Sequence, residues 1–143
     1  MTRKEFLKLT GMTAGAYALT RCLGACSSTP QAYPTPPSNV NITINTWVSP
    51  YTDLLNNGGY VYVQGIIVAT VKPGEYLAVS EYCTHQGTAV VYQPAYNDFF
   101  CSAHSATFAY TGAVVSGPAT VALQQYSVTP KFTINGWQIL VTG

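Results

Sequence analysis

From Asn41 to Gly143, β-branched and aromatic residues alternate with turn-forming residues about every eight to twelve positions. That rhythm predicts short antiparallel strands, because side chains alternate faces along a strand while Gly, Pro and Asn set the reversals. Tyr60-Val61-Tyr62-Val63 and Ile66-Ile67-Val68-Ala69 flank Gln64-Gly65. Phe132-Thr133-Ile134 and Trp137-Gln138-Ile139-Leu140-Val141 flank Asn135-Gly136, the strongest hairpin signal in the chain. Pro73-Gly74 and Thr111-Gly112 mark further turns. No stretch of this region has the period of an amphipathic helix, so residues 40–143 are expected to form one small all-β domain.

The pattern differs before Val40. Met1 to Cys26 has a basic start, a mildly apolar stretch from Leu9 to Thr20 and a small-residue processing site, which reads as an export segment. Gly11, Gly15 and Gly24 weaken the competing reading, an amphipathic first helix of the domain. Thr2-Arg3-Lys4-Glu5-Phe6-Leu7-Lys8 resembles a twin-arginine signal with Lys4 in place of the second arginine, a departure that leaves the Sec route open. Leu23-Gly24-Ala25-Cys26 looks like a bacterial lipobox, although Arg21 is an unusual neighbour. The likeness implies a lipid on Cys26 and a membrane-anchored lipoprotein facing the periplasm or cell exterior. Residues 27–39 hold Pro30, Pro34, Pro36 and Pro37. They read as an extended tether, reaching roughly 40 Å at about 3.1 Å per residue.

Composition narrows the function. A chain of 143 residues supports one modest core. Hydrophobic residues make up 48% and charged ones 8%, yet the apolar residues never gather into a run long enough to span a bilayer. The net charge of +1 hides an asymmetry: from Cys26 onward Lys72 and Lys131 face Asp53, Glu75, Glu81 and Asp98, a net of −2. Nucleic acid is thereby excluded as a partner, since binding it needs a stripe of Lys and Arg. Four cysteines would allow two disulfides in an exported protein, but Cys22 and Cys26 fall in the export segment, leaving only Cys83 and Cys101 in the body.

Those two cysteines bring the chemistry. Cys83-Thr84-His85 and Cys101-Ser102-Ala103-His104 are separated by the fifteen residues 86–100 and use every histidine of the chain. Two soft thiolates paired with two weaker imidazoles suit a cluster of two unlike irons. Both segments break the strand rhythm and fall in loops, where a rigid scaffold carries its chemistry.

The spacing resembles the Rieske family, whose pattern is C-x-H followed by C-x-x-H. Cys83-Thr84-His85-Gln86-Gly87 is similar to the family's first loop, and Gly117-Pro118-Ala119 to the proline loop covering the cluster from a third side. Tyr76-Leu77-Ala78-Val79-Ser80 and Gly112-Ala113-Val114-Val115 extend the likeness, which runs from about Val40 onward. It implies an antiparallel sheet scaffold with a small loop-built cluster-binding subdomain. It also implies a [2Fe–2S] cluster with Cys83 and Cys101 on one iron and His85 and His104 on the other, and a redox partner protein docking at the His85/His104 tip. Such a chain is an electron carrier rather than a catalyst on its own, or the electron-transfer subunit of an oxidoreductase.

Departures from the family matter. The loop disulfide of the respiratory-complex branch has no counterpart, because Thr88 and Ala103 stand at its positions. Ala106 and Phe108 replace the serine and tyrosine that donate to the cluster sulfurs there. Lacking those donors, the reduced state is less stabilised, so the potential is expected in the lower half of the family range of about −150 to +300 mV. Ser105 stands where glycine is usual and strains the loop if the backbone needs positive φ. Gln86 replaces the usual leucine, giving a more polar cap.

The competing reading is a Cys2His2 zinc-stabilised binding or assembly module without redox activity. Structural zinc more often uses C-x-x-C or H-x₃-H pairs, and zinc explains nothing about Gly117-Pro118-Ala119. A mononuclear iron oxygenase needs two further histidines, and a Ser-His-Asp hydrolase would have to borrow His85 or His104. The eleven tyrosines are read as cross-strand packing residues rather than hopping relays. With so few charges, a tyrosine-rich surface also suits an interface within a larger assembly.

Overall fold

The computed structural model describes residues 32–143. The expected export segment, Cys26 and residues 27–31 of the tether lie outside the described residues. The all-β expectation holds: among the described residues, ten strands make two antiparallel sheets.

The larger sheet has the order β1-β10-β9-β4-β3-β2. Its strands are β1 (Asn41–Asn45), β2 (Tyr60–Val63), β3 (Ile66–Lys72), β4 (Glu75–Ser80), β9 (Gln125–Thr133) and β10 (Gly136–Thr142). The smaller is a meander of β5 (Val91–Gln93), β6 (Asp98–Cys101), β7 (Ala106–Ala109) and β8 (Val114–Ser116). A single 3₁₀ turn, Tyr51–Leu55, is the helical element among the described residues; it tucks Leu54 into the core. Its Leu54 carbonyl accepts the buried Thr70 hydroxyl at 2.8 Å.

β3 explains how two sheets share one body. Ile66, Ile67, Val68 and Ala69 are all buried, as a strand covered on both faces must be. Ile66 and Val68 join Ile44, Ala78, Ile139 and Val141 in one core. Ile67 and Ala69 face the other way and join Val79, Phe99 and Phe108 in a second core, which also contains Cys83 and Cys101. β3 and β4 are thus the wall against which the loops that begin at Cys83 and Cys101 are packed.

The turns follow their residues. Gln64 and Gly65 both take positive φ (+49° and +83°) between the paired Val63 and Ile66, as a type I′ hairpin requires. Pro73-Gly74 joins β3 to β4 with Gly74 at φ +78°. The β9–β10 hairpin differs from the sequence expectation by one residue. Thr133 pairs with Gly136, so Ile134 and Asn135 form the turn while Gly136 takes φ +125°. Ile134 consequently stands fully exposed.

Tyrosines pack across elements and anchor their hydroxyls. Tyr60 meets Tyr92 edge-on at 6.1 Å, and Tyr62 Oη donates to the Val90 carbonyl at 2.7 Å. Tyr92 Oη donates to Asn97 Oδ1 at 2.7 Å.

Asp98 is the exception to satisfied polarity. Its Oδ1 is buried without a hydrogen-bond partner among the described residues, and desolvation raises the carboxyl above its ordinary value of 3.8. A carboxylate raised on folding disfavours the charged native state, so its stability is fullest below the unfolded pKa and falls as pH rises through the folded one. Asp98→Asn is expected to melt at a higher temperature than wild type near pH 7, with the gain vanishing near pH 3. A gain that stays constant across a melting series over that range would refute desolvation as the cause.

Candidate metal centre

The loops that begin at Cys83 and Cys101, which hold the expected ligands, are built alike. Cys83 follows β4, and its loop is closed by the Tyr82–Ala89 bridge and by the Cys83 amide donating to the Thr88 carbonyl at 2.8 Å. Cys101 ends β6, and its pairing with Ala106 closes the loop of residues 102–105. In each loop the residue four beyond the cysteine donates its amide to the cysteine carbonyl: Gly87 to Cys83 at 2.7 Å and Ser105 to Cys101 at 2.9 Å. Both residues sit in the left-handed region, Gly87 at φ +71° and Ser105 at φ +61°.

That repeated turn settles what Ser105 does. Glycine adopts this backbone freely, whereas an L-residue carries a penalty of roughly 1–2 kcal/mol, partly offset by glycine's larger entropy loss. Ser105→Gly is therefore expected to stabilise the domain by about 0.5–1 kcal/mol. Chemical denaturation of the two proteins, showing the glycine variant equal or weaker, would rule out strain at this position.

The turns bring the four side chains together in two pairs. His85 Nδ1 and His104 Nδ1 lie 3.2 Å apart, with the rings edge to face at 4.6 Å between centroids. Two nitrogens on one tetrahedral metal, at bonds of about 2.0–2.1 Å, would be separated by roughly 3.4 Å. Cys83 and Cys101 are buried, at 2% and 1% exposure, and share one core, close enough for the Cys101 thiol to help raise the Cys83 thiol. Burial pushes the Cys83 thiol up, while the backbone N–H groups of His85 and Gln86, aimed at its sulfur, pull it down. Those N–H groups are built to receive a sulfur carrying negative charge. Among the described residues, no three His, Cys, Asp or Glu side chains gather at one single-ion position. Two buried thiols and two outward imidazoles, His85 half-buried and His104 exposed, suit a cluster of two metals with unlike ligands.

Two further segments flank the first loop. Thr84 Oγ1 donates to the Val121 carbonyl at 2.5 Å, tying the loop to the stretch after Gly117-Pro118-Ala119, where Ala119 and Leu123 share the core with both cysteines. On another side, residues of the Pro-rich stretch lie against the body. A Cβ on Gly87 would come within 2.5 Å of Pro34 Cδ, and one on Gly65 within 3.2 Å of Pro37 Cγ. A groove of about 390 Å³, lined by Tyr33, Pro36, Tyr82, His85, Val121 and Gln124 among others, runs between this strap and the loop. Sequence reasoning took residues 27–39 wholly as a spacer. Proline's missing donor argued against pairing, but nothing in the composition reported that its rings would pack on Gly65 and Gly87.

Residues 46–127 match the family model of the Rieske [2Fe-2S] domain. The chain belongs to the Rieske family. Family membership implies a [2Fe–2S] cluster as cofactor. The cytochrome b6-f complex iron-sulfur subunit of Chlorobaculum thiosulfatiphilum is 37% identical over 76 residues, covering 53% of this chain and 40% of its own length. Its counterpart in Chlorobaculum tepidum is 30% identical over 95 residues, covering 65% and 52% respectively. The chain therefore spans about half the length of the curated relatives it matches. In structure it is similar to the plasma membrane Rieske protein PetC3 of the cyanobacterium Synechocystis PCC 6803, with a TM-score of 0.52 and 30% identity over 73% of this chain and 99% of that one. No described helix of this Rieske chain is long and apolar enough to cross a membrane.

Proposed function

We infer that this Rieske protein passes single electrons outside the cytoplasm, as a carrier or as the small redox subunit of a larger assembly. In this reading Cys83 and Cys101 hold one iron of the cluster, and His85 and His104 the other. The observation that carries it is the pairing of donors: two buried thiols beside each other and two imidazole Nδ1 atoms 3.2 Å apart. When bound, the cluster supplies a one-electron ferric–ferrous couple. The protein's own residues bury the sulfur side, point the His85 and Gln86 amides at Cys83, and leave the imidazole edges where a partner protein can dock.

The relatives that are subunits of a cytochrome b6-f complex support a redox partner of this kind. Lipidation of Cys26 would give the membrane attachment. Cys26 is joined to Tyr33 by no more than roughly 25 Å of chain even when fully extended, and Tyr33 lies beside Gly87. An anchor there would keep the ligand loops close to the bilayer. The zinc-stabilised module has no such support, because its four donors would have to surround one ion.

The test is a metal and sulfide assay on full chain assembled in the cytoplasm. Iron and acid-labile sulfide in equal amounts are expected, with a redox titration giving a midpoint in the lower half of about −150 to +300 mV. Zinc without sulfide would overturn the reading.

A further inference from the structure

The loop that carries Cys83 and His85 has no covalent brace, since Thr88 and Ala103 stand where a cross-loop disulfide would need cysteines. We propose that the strap Tyr33–Pro37 supplies the brace instead, as a set of positioning residues for the Cys83–His85 loop. The proposal rests on the ligand assignment above.

Three observations place the strap there. Pro34 sits so close to Gly87 that a single added carbon would lie 2.5 Å from its Cδ and 3.2 Å from Tyr33 Cβ. Gly87 is the residue whose amide closes the turn onto the Cys83 carbonyl. Further along, Pro37 packs over Gly65 where the Tyr82 ring also lies, its Cε2 within 3.2 Å of the same added-carbon position. Tyr82 immediately precedes Cys83. The strap is itself pinned to the scaffold: Tyr126 Oη, from a side chain only 7% exposed, donates to the Pro37 carbonyl at 2.8 Å. Since Thr84 is fixed to Val121 from another direction, the loop is gripped on two sides without a disulfide.

Proline suits this role. Its ring fixes φ, so the strap loses little conformational freedom when it docks, and its missing N–H leaves no donor to satisfy. A covalent bridge holds through the unfolded state, whereas a packed strap holds only while it is seated. The brace is therefore reversible, and its seating sets how readily the first loop opens and releases its metal.

The experiment compares the full chain with Pro34→Gly/Pro37→Gly and with Tyr126→Phe, which removes only the hydroxyl holding Pro37. Ile139→Val, in the core on the far side of the β3–β4 wall, serves as a control for general destabilisation. Cluster loss to an iron chelator is followed by the visible absorbance, alongside the reduced-state electron paramagnetic resonance spectrum. The double variant is expected to lose its cluster about fivefold faster or more, with a broadened spectrum. Tyr126→Phe should shift both in the same direction by less, and Ile139→Val should leave them at wild-type values. A double variant that holds its cluster as long as the control does, with an unchanged spectrum, overturns the brace alone. Wild-type protein without iron and sulfide overturns the ligand assignment and the brace together.

Discussion

Replacing His104 with alanine is expected to abolish the mixed nitrogen-and-sulfur signature of the reduced protein altogether. The imidazole has no substitute: the chain holds two histidines, and among the described residues no cluster of other metal-binding side chains stands by to replace one. His104 is exposed on a four-residue loop, so its removal leaves the scaffold intact and the far-ultraviolet circular dichroism unchanged. Electron paramagnetic resonance of the reduced variant provides the check, and a wild-type spectrum would disprove the ligand assignment. The same replacement at His85 is expected to give the same loss, because its Nδ1 lies only 3.2 Å from that of His104.

The second large effect concerns stability. Phe99 is fully buried and faces Phe108 across the β6–β7 pair, with the Tyr92 ring at 5.3 Å. Phe99→Ala should cost about 3–5 kcal/mol, combining lost transfer energy with the cavity left behind. A domain of this size has a total stability of only about 5–15 kcal/mol, so much of the margin disappears. Phe99 shares its core with Cys83 and Cys101, so the cluster is expected to bleach at a lower urea concentration than the one at which the larger sheet unfolds. Urea denaturation read by circular dichroism and by cluster absorbance tests this. Coincident transitions together with a loss below about 1 kcal/mol would show that the two cores are not mechanically distinct.

The size of these two effects reflects how the protein divides its labour. The Ile44–Ile139 core holds the large sheet, and the Phe99–Phe108 core holds the loops that position the donors. β3 belongs to both, which is why its four consecutive apolar residues could not show the alternation of a one-sided strand. A continuous apolar run of this kind accompanies burial on both faces, and reading Ile66-Ile67-Val68-Ala69 only as one arm of a hairpin left that second face unnoticed.

The period-two pattern and the turn residues determined the all-β class and most hairpins, because strand alternation and positive-φ turns depend only on neighbours in the chain. The family was equally legible, since Cys83-x-His85 and Cys101-x-x-His104 are local motifs within the matched residues 46–127. Where a residue's role depends on the exact turn adopted or on a surface distant in sequence, only the tertiary structure decided it. Ser105 has to adopt positive φ because its amide must reach back to Cys101, and Ile134 is thrown outward because the hairpin turns one residue early. The strap at Tyr33–Pro37 is the clearest case: proline composition encodes an extended backbone, but which surface receives it is fixed by packing against Gly65 and Gly87, which lie far away in sequence and adjacent only once the chain has folded.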